Sequence, residues 1–161
     1  MKLQRLKLNN FQGIKALELN FPDGCSATIY GDNATGKTTT FNAMTWLLFD
    51  KASTDIKGFT PKTKGKDGDM HHLDHSVEAE FIADDGRIIR LKKTYAEVYT
   101  KKRGSNTEEF TGHSVSYEID GVPAKEKEYN KRITELCGGD TEKPKFLTMP
   151  HCFHSFPIYL P

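Results

Sequence analysis

Hydrophobic and polar positions change rhythm along the chain, and the changes mark its elements. In 2–9, KLQRLKLN, Leu6 and Leu8 share one face of a strand and Leu3 is out of phase. In 14–21, IKALELNF, the alternation runs through Leu17, Leu19 and Phe21, while Ile14 and Ala16 sit in the opposite phase. The pattern predicts two antiparallel strands, a turn at Gln12-Gly13 and a bulge near Ala16-Leu17. Pro22-Asp23-Gly24 reads as a turn, and CSATIY (25–30) as a short buried strand. From Lys37 to Asp50 the period lengthens, with Phe41, Met44, Leu47 and Leu48 on one face of a helix. Residues 51–75 are polar and read as a long loop. Strands follow at 76–83 and 87–99, joined by the hairpin signal Asp84-Asp85-Gly86. Residues 100–112 read as loop and 114–119 as a strand. Residues 124–137 read as an exposed helix, with Glu128 facing Arg132, closed by Gly138-Gly139. The tail from 140 has no clear period, and no segment repeats.

Between the strand at 25–30 and the helix lies GDNATGKTTT, residues 31–40. Gly31 to Thr38 fits G-x-x-x-x-G-K-[ST], a phosphate-binding loop, and strand–loop–helix is the context such a loop requires. Gly31 permits the tight exit from the strand, and Gly36 brings backbone close to the phosphates. Backbone N–H groups and the positive end of the helix attract the anion. Lys37 is expected to reach the β- and γ-phosphates and to act in catalysis, and Thr38 to ligate Mg²⁺. Thr39 faces the α-phosphate. Asn33, Ala34 and Thr35 complete the cofactor-binding loop. The expected cofactors are therefore ATP and Mg²⁺.

A working ATPase also needs an acid at the end of an apolar strand. Asp50 ends WLLFD, but thirteen residues of helix place it about 20 Å from the loop at 1.5 Å per residue. Asp84 and Asp85 are better explained by their turn, and the run leading to Asp120 is broken by Glu118. No convincing magnesium carboxylate follows the loop. A guanine motif is also missing: Asn130-Lys131-Arg132-Ile133 lacks the aspartate, and Asp55-Ile56-Lys57-Gly58 follows no strand. A small-molecule kinase and a non-catalytic nucleotide-binding or partner-binding module remain alternatives.

A net charge of +1 over 161 residues gives no field that drives the chain to nucleic acid or membrane. One segment stands apart. Residues 87–103 carry Arg87, Arg90, Lys92, Lys93, Lys101, Lys102 and Arg103 against Glu97, with Tyr95 and Tyr99 interleaved. Either it contacts a DNA backbone or it is a solvated hairpin face. His71, His72 and His75 beside Asp74 have conceivable metal spacing, as do Cys137, His151, Cys152 and His154, but neither set matches a zinc pattern. Three widely spaced cysteines (Cys25, Cys137, Cys152) point to reduced thiols and a cytoplasmic protein. No apolar run is long enough to span a bilayer.

Taken together, Lys2-Leu3, Leu6, Leu8, Asn10-Phe11 and the loop Gly31, Asn33, Gly36, Lys37, Thr38, Thr39 resemble the SbcC and SMC-like ATPases, the coiled-coil repair and chromosome-maintenance enzymes. The likeness covers most of 1–150, with 151–161 an irregular tail. It implies an α/β half-domain of P-loop type: a mixed β-sheet, a central helix after the loop and an antiparallel β layer. It implies a role in DNA double-strand-break repair or recombination. In that family a C-terminal lobe supplies the magnesium carboxylate, catalytic glutamate and signature motif, and two heads sandwich ATP. The implied partners are that lobe or a second head, DNA and a nuclease. Three departures stand out. Gln12 replaces the arginine common after Asn-Phe, 146–161 holds no glutamine, and no heptads follow. Hydrolysis by this chain alone is therefore not expected.

Overall fold

The computed structural model describes residues 2–21, 29–50, 58–65, 68–102 and 108–136. The expected turn at 22–24, most of the strand at 25–30, the three cysteines, Arg103, Gly138-Gly139 and the tail lie outside the described residues.

Strands β1 (Lys2–Phe11) and β2 (Ile14–Asn20) form the first hairpin. Strands β3 (Lys64–Gly65) and β4 (Gly68–Asp69) make a small ladder of their own. Then come β5 (His75–Ile82), β6 (Ile88–Lys101), β7 (Glu108–Ile119) and β8 (Val122–Ala124). Among the described residues they build a six-stranded sheet in the order β2-β1-β5-β6-β7-β8, and every ladder is antiparallel. Helix α1 (Lys37–Phe49) packs on β1, β5 and β6, and α2 (Glu126–Leu136) on β7.

The out-of-phase Leu3 has a clear cause. Against β5, Leu3 pairs with Phe81 but Arg5 pairs with Glu80, so Gln4 is an extra residue. This bulge returns Leu3 to the buried side with Leu6 and Leu8. The carbonyl of Gln4 accepts the N–H of Phe21 at 2.8 Å. The expected bulge near Ala16-Leu17 is absent, because β2 pairs with β1 in unbroken register from Ile14 to Asn20. Asn10 then takes φ 50°, and Phe11 turns fully inward beside Trp46.

The core lies between one sheet face and α1. From β5 it takes Val77, Ala79 and Phe81, and from β6 it takes Ile89 and Leu91. The helix is not the one-faced element that its period suggested: burial runs unbroken from Asn42 to Leu48, while Phe41 is only half-buried. Each large apolar side chain so buried contributes about 1.5–3 kcal/mol. Polar groups close its far end. The Trp46 carbonyl accepts Lys93 Nζ at 2.8 Å and the Asp50 N–H at 3.1 Å, and the Leu47 carbonyl accepts the Tyr129 hydroxyl at 3.2 Å.

Strand β7 begins six residues before its expected start, and β6 runs two past its expected end. Their ladder continues from Leu91↔Ile119 to Lys101↔Glu108. Strand β5 stops at His75↔Tyr95, so the outer parts of β6 and β7 reach beyond it as a two-stranded arm. In α2, Arg132 pairs with Glu135 at 3.1 Å rather than with Glu128, which instead accepts the Lys125 N–H at 3.1 Å at the helix start. That helix is not simply exposed, since Tyr129 and Ile133 are buried.

Candidate functional site

The loop is exposed at 31–35, half-buried at Gly36, and led into by half-buried Ile29. Its path uses left-handed backbone at Ala34 (φ 67°) and Gly36 (φ 94°). At Gly36 this suits glycine, and a Cβ there would also press on Ile14 Cδ1 at 3.3 Å. At Gly31 a Cβ would meet Thr35 Oγ1 at 2.8 Å. That hydroxyl donates to the Asp32 carbonyl at 2.8 Å and holds the loop curled. A side chain is therefore disfavoured at Gly31 by Thr35, and at Gly36 by its left-handed backbone and Ile14.

Lys37 folds back across the loop. Its Nζ donates to the carbonyls of Gly31 at 2.5 Å and Asp32 at 2.6 Å. Among the described residues no carboxylate pairs with it, so its charge meets only neutral oxygens. Helix α1 begins here with no side-chain cap and no acid in its first turn. A helix N-terminus left uncapped beside an uncompensated ammonium suits a phosphate group. Thr38 is exposed, Thr39 half-buried, and Asn33, Ala34 and Thr35 line the exposed rim. The Thr40 hydroxyl is buried and donates to the Gly36 carbonyl at 3.1 Å, whereas Thr38 is the exposed threonine of this turn. The donor set fits a nucleotide phosphate, and a lone hydroxyl fits one coordination position of a hard cation.

The candidate carboxylates are engaged elsewhere. Asp50 meets Lys93 Nζ at 2.7 Å at the opposite end of α1. Asp85 binds Arg87 at 2.6 Å within the turn, Glu118 binds Lys92 at 2.8 Å, and Asp120 accepts the Arg90 N–H at 2.8 Å. Asp84 sits in the turn that Gly86 closes by donating to the Ala83 carbonyl.

The basic segment loses its apparent excess of charge. Arg90 pairs with Glu80 at 2.5 Å, Lys101 with Glu108 at 3.7 Å and Lys102 with Glu109 at 2.6 Å. Lys93 is not on the surface at all. It is fully buried, with Nζ 5.2–5.5 Å from the ring centres of Trp46, Tyr117 and Tyr129. Burial pushes its pKa down, and Asp50 partly restores it.

The three histidines do not converge. His71 Nδ1 and the His72 N–H both meet Glu97, at 2.9 and 3.0 Å, while His75 Nδ1 meets the Asn10 carbonyl at 2.5 Å. Among the described residues no group of three or more metal ligands forms. Glu97 also accepts Lys62 Nζ and the Tyr99 hydroxyl, each at 2.5 Å. Lys62 first, then Tyr99, hold its carboxyl far below the usual range. The described parts of the loop expected at 51–75, residues 58–65 and 68–75, are thus tied down.

The β1–β2 turn supports the site in a way that no periodicity reveals. Gln12 (φ 45°) and Gly13 (φ 93°) place Ile14 under Gly36 and the Gln12 side chain against Asn42 of α1. The Gln-Gly pair marked a turn, but nothing in the pattern showed what it touches.

Residues 5–149 match the AAA domain family. The chain belongs to that family. No curated protein matches it. Solved structures share its fold, two of them as follows. One comes from structural biochemistry of ATP-driven dimerization and DNA-stimulated activation of SMC ATPases, with TM-score 0.60, 15% identity, and coverage of 93% of this chain and 87% of that one. The other is the recombination mediator protein RecF with ATP, of the RecFOR pathway, with TM-score 0.52 and 18% identity, covering 77% of this chain. The match takes in only 28% of that RecF chain. This AAA-family chain therefore has the fold of the N-terminal lobe of an SbcC/SMC-like P-loop ATPase. Among the described residues no helix is long and apolar enough to cross a membrane.

Proposed function

We propose that the chain binds ATP and Mg²⁺ through Gly31–Thr39, as the N-terminal lobe of an SbcC/SMC-like ATPase acting in DNA repair or recombination. One observation carries the reading. Lys37 lies across the glycine loop at an uncapped helix start, held by two neutral carbonyls and, among the described residues, by no acid. Phosphate oxygens are the natural exchange for those carbonyls, since charge-assisted bonds are about twice as strong as neutral ones. Lys37 then orients the terminal phosphates, and its charge favours the charge that develops in transfer. Gly31 and Gly36 let backbone N–H groups close on the phosphates. Thr38 supplies a hydroxyl to the cation, which when bound neutralises phosphate charge.

The same chain is incomplete for hydrolysis by itself. Each carboxylate considered for the cation is paired or placed elsewhere. The missing acid and the group that aims water come from a C-terminal lobe or a second head, in a sandwich that ATP binding joins and hydrolysis releases. DNA and a nuclease are partners of the assembled enzyme. The paired charges of β6 and β7 argue against a DNA contact on that hairpin. Phosphate release tests this directly. The chain with ATP and Mg²⁺ turns over negligibly, and Thr38→Ala reduces the Mg²⁺ dependence of nucleotide affinity. Appreciable Lys37-dependent turnover by the chain alone contradicts the reading and favours a complete ATPase or small kinase.

A further inference from the structure

The turn between β1 and β2 touches α1 at two heights. Ile14 lies against the Cβ position of Gly36, at the start of the helix. Gln12 Oε1 accepts from Asn42 Nδ2 at 3.4 Å, more than a turn further on. The other end of the same amide points away from the helix: Gln12 Nε2 donates to the Thr60 carbonyl at 2.9 Å. Three further bonds fasten the turn to that segment. The Gln12 N–H donates to the Pro61 carbonyl at 3.1 Å, the Gly13 N–H to Thr63 Oγ1 at 3.1 Å, and Thr63 Oγ1 to the Asn10 carbonyl at 2.7 Å. Residues 60–63 have no ladder or helix of their own. Lys62 nevertheless is buried there, with its ammonium on Glu97 of the β6 arm.

We infer that Gln12 is a positioning residue that couples the phosphate loop to residues 60–63, and through Lys62 and Glu97 to the β6–β7 arm. The inference rests on the reading of the loop as a nucleotide site. A neutral amide is suited to the task because it donates at one end and accepts at the other. Nucleotide that orders Gly36 and the first turns of α1 also fixes the turn packed on them. The turn in turn restrains Thr60 and Pro61. A glutamate at 12 keeps the acceptor for Asn42 but sets a carboxylate oxygen against the Thr60 carbonyl. It therefore cuts one half of the connection and leaves the other.

Amide hydrogen exchange on the whole chain, with and without ATP·Mg²⁺, tests this in the parent, Gln12→Glu and Lys37→Ala. In the parent, ATP slows exchange at 31–40, and slows the Thr60, Lys62 and Thr63 amides of 60–63 by about tenfold, as coupling through one or two hydrogen bonds predicts. In Gln12→Glu the loop is still protected by ATP, but the effect at 60–63 is lost. A merely structural Gln12 shifts the ligand-free rates and leaves the ATP-induced difference intact, which overturns the inference. So does a parent in which ATP protects the loop and not 60–63. Absence of protection at the loop itself is the separate failure of the nucleotide reading, with Lys37→Ala as its reference. The ligand-free samples test the contacts regardless. Gln12→Glu speeds exchange at 60–63 and not at 37–42, and equal rates in parent and variant overturn the coupling.

Discussion

Replacing Lys93 by methionine should barely change stability, although the residue is a fully buried cation. Three interactions are lost. The Trp46 carbonyl gives up one donor but keeps the Asp50 N–H, a loss of about 1 kcal/mol or less. The Asp50 side chain is 46% exposed and returns to water, so the pair is worth only ~0–1 kcal/mol. Cation–π contact with three rings adds about 2 kcal/mol for a desolvated ammonium. Against these stands the penalty for keeping the ammonium out of water, which is several kcal/mol. The sum for Lys93→Met lies within about 2 kcal/mol of zero. Asp50→Asn keeps the buried cation and removes its countercharge, and should cost about 1–2 kcal/mol. Lys93→Ala also removes three packed methylenes, about 2–3 kcal/mol beyond the methionine variant. Trp46, the chain's single tryptophan, touches Lys93 and reports unfolding in urea. A loss well above about 2 kcal/mol in Lys93→Met refutes this balance.

Other outcomes follow from the same contacts. Gly31→Ala drives a Cβ into Thr35 Oγ1, and should weaken ATP binding about tenfold by titration while leaving the urea midpoint nearly unchanged. Glu97 has a folded pKa far below its ordinary 4.5, so it stabilises the fold above that value and the contribution fades as pH falls through the folded one. Glu97→Gln should flatten the acid limb of the stability curve and speed amide exchange at 60–63. At high pH two slopes oppose. The unfolded chain holds the Lys93 proton between the depressed folded pKa and 10.5, so stability rises with pH there. Above about 10 the unfolded tyrosines ionise first, because burial raises Tyr117 to about 12 and raises Tyr129 as well, so stability falls. Urea midpoints across this range should show the rise vanish, and the fall remain, in Lys93→Met.

The parts legible in the sequence are those with a local cause. The loop at Gly31–Thr39 needs particular backbone freedom and particular side chains, and these show as letters at fixed spacing. The Asp84-Asp85-Gly86 turn is legible for the same reason. The bulge at Gln4 left a trace, the out-of-phase Leu3, but phase alone did not say which strand carried it. Lys93 read as a surface cation because lysine is seldom buried, and its carbonyl and carboxylate come from α1 and the residue that caps it, more than forty residues earlier. The charge of 87–103 misled for a related reason: a linear count sees Glu97 alone, whereas β5 and β7 bring Glu80, Glu118, Glu108 and Glu109 alongside. The outer arm was missed because it has little core to face. Phe110 is 49% exposed, and the ladder of Tyr95, His113, Phe110 and Tyr99 rings supports it without alternation. The role of residues 60–63 depends on Gln12 and Glu97, which no local pattern connects to them.

The central claim is that Lys37 lies across the loop to receive phosphate. A calorimetric titration of the chain with ATP·Mg²⁺, beside Lys37→Ala, tests it most directly. The account predicts saturable binding by the parent and a loss of at least roughly tenfold in the variant, the range for a charge-assisted contact. Equal affinity in the two proteins contradicts it.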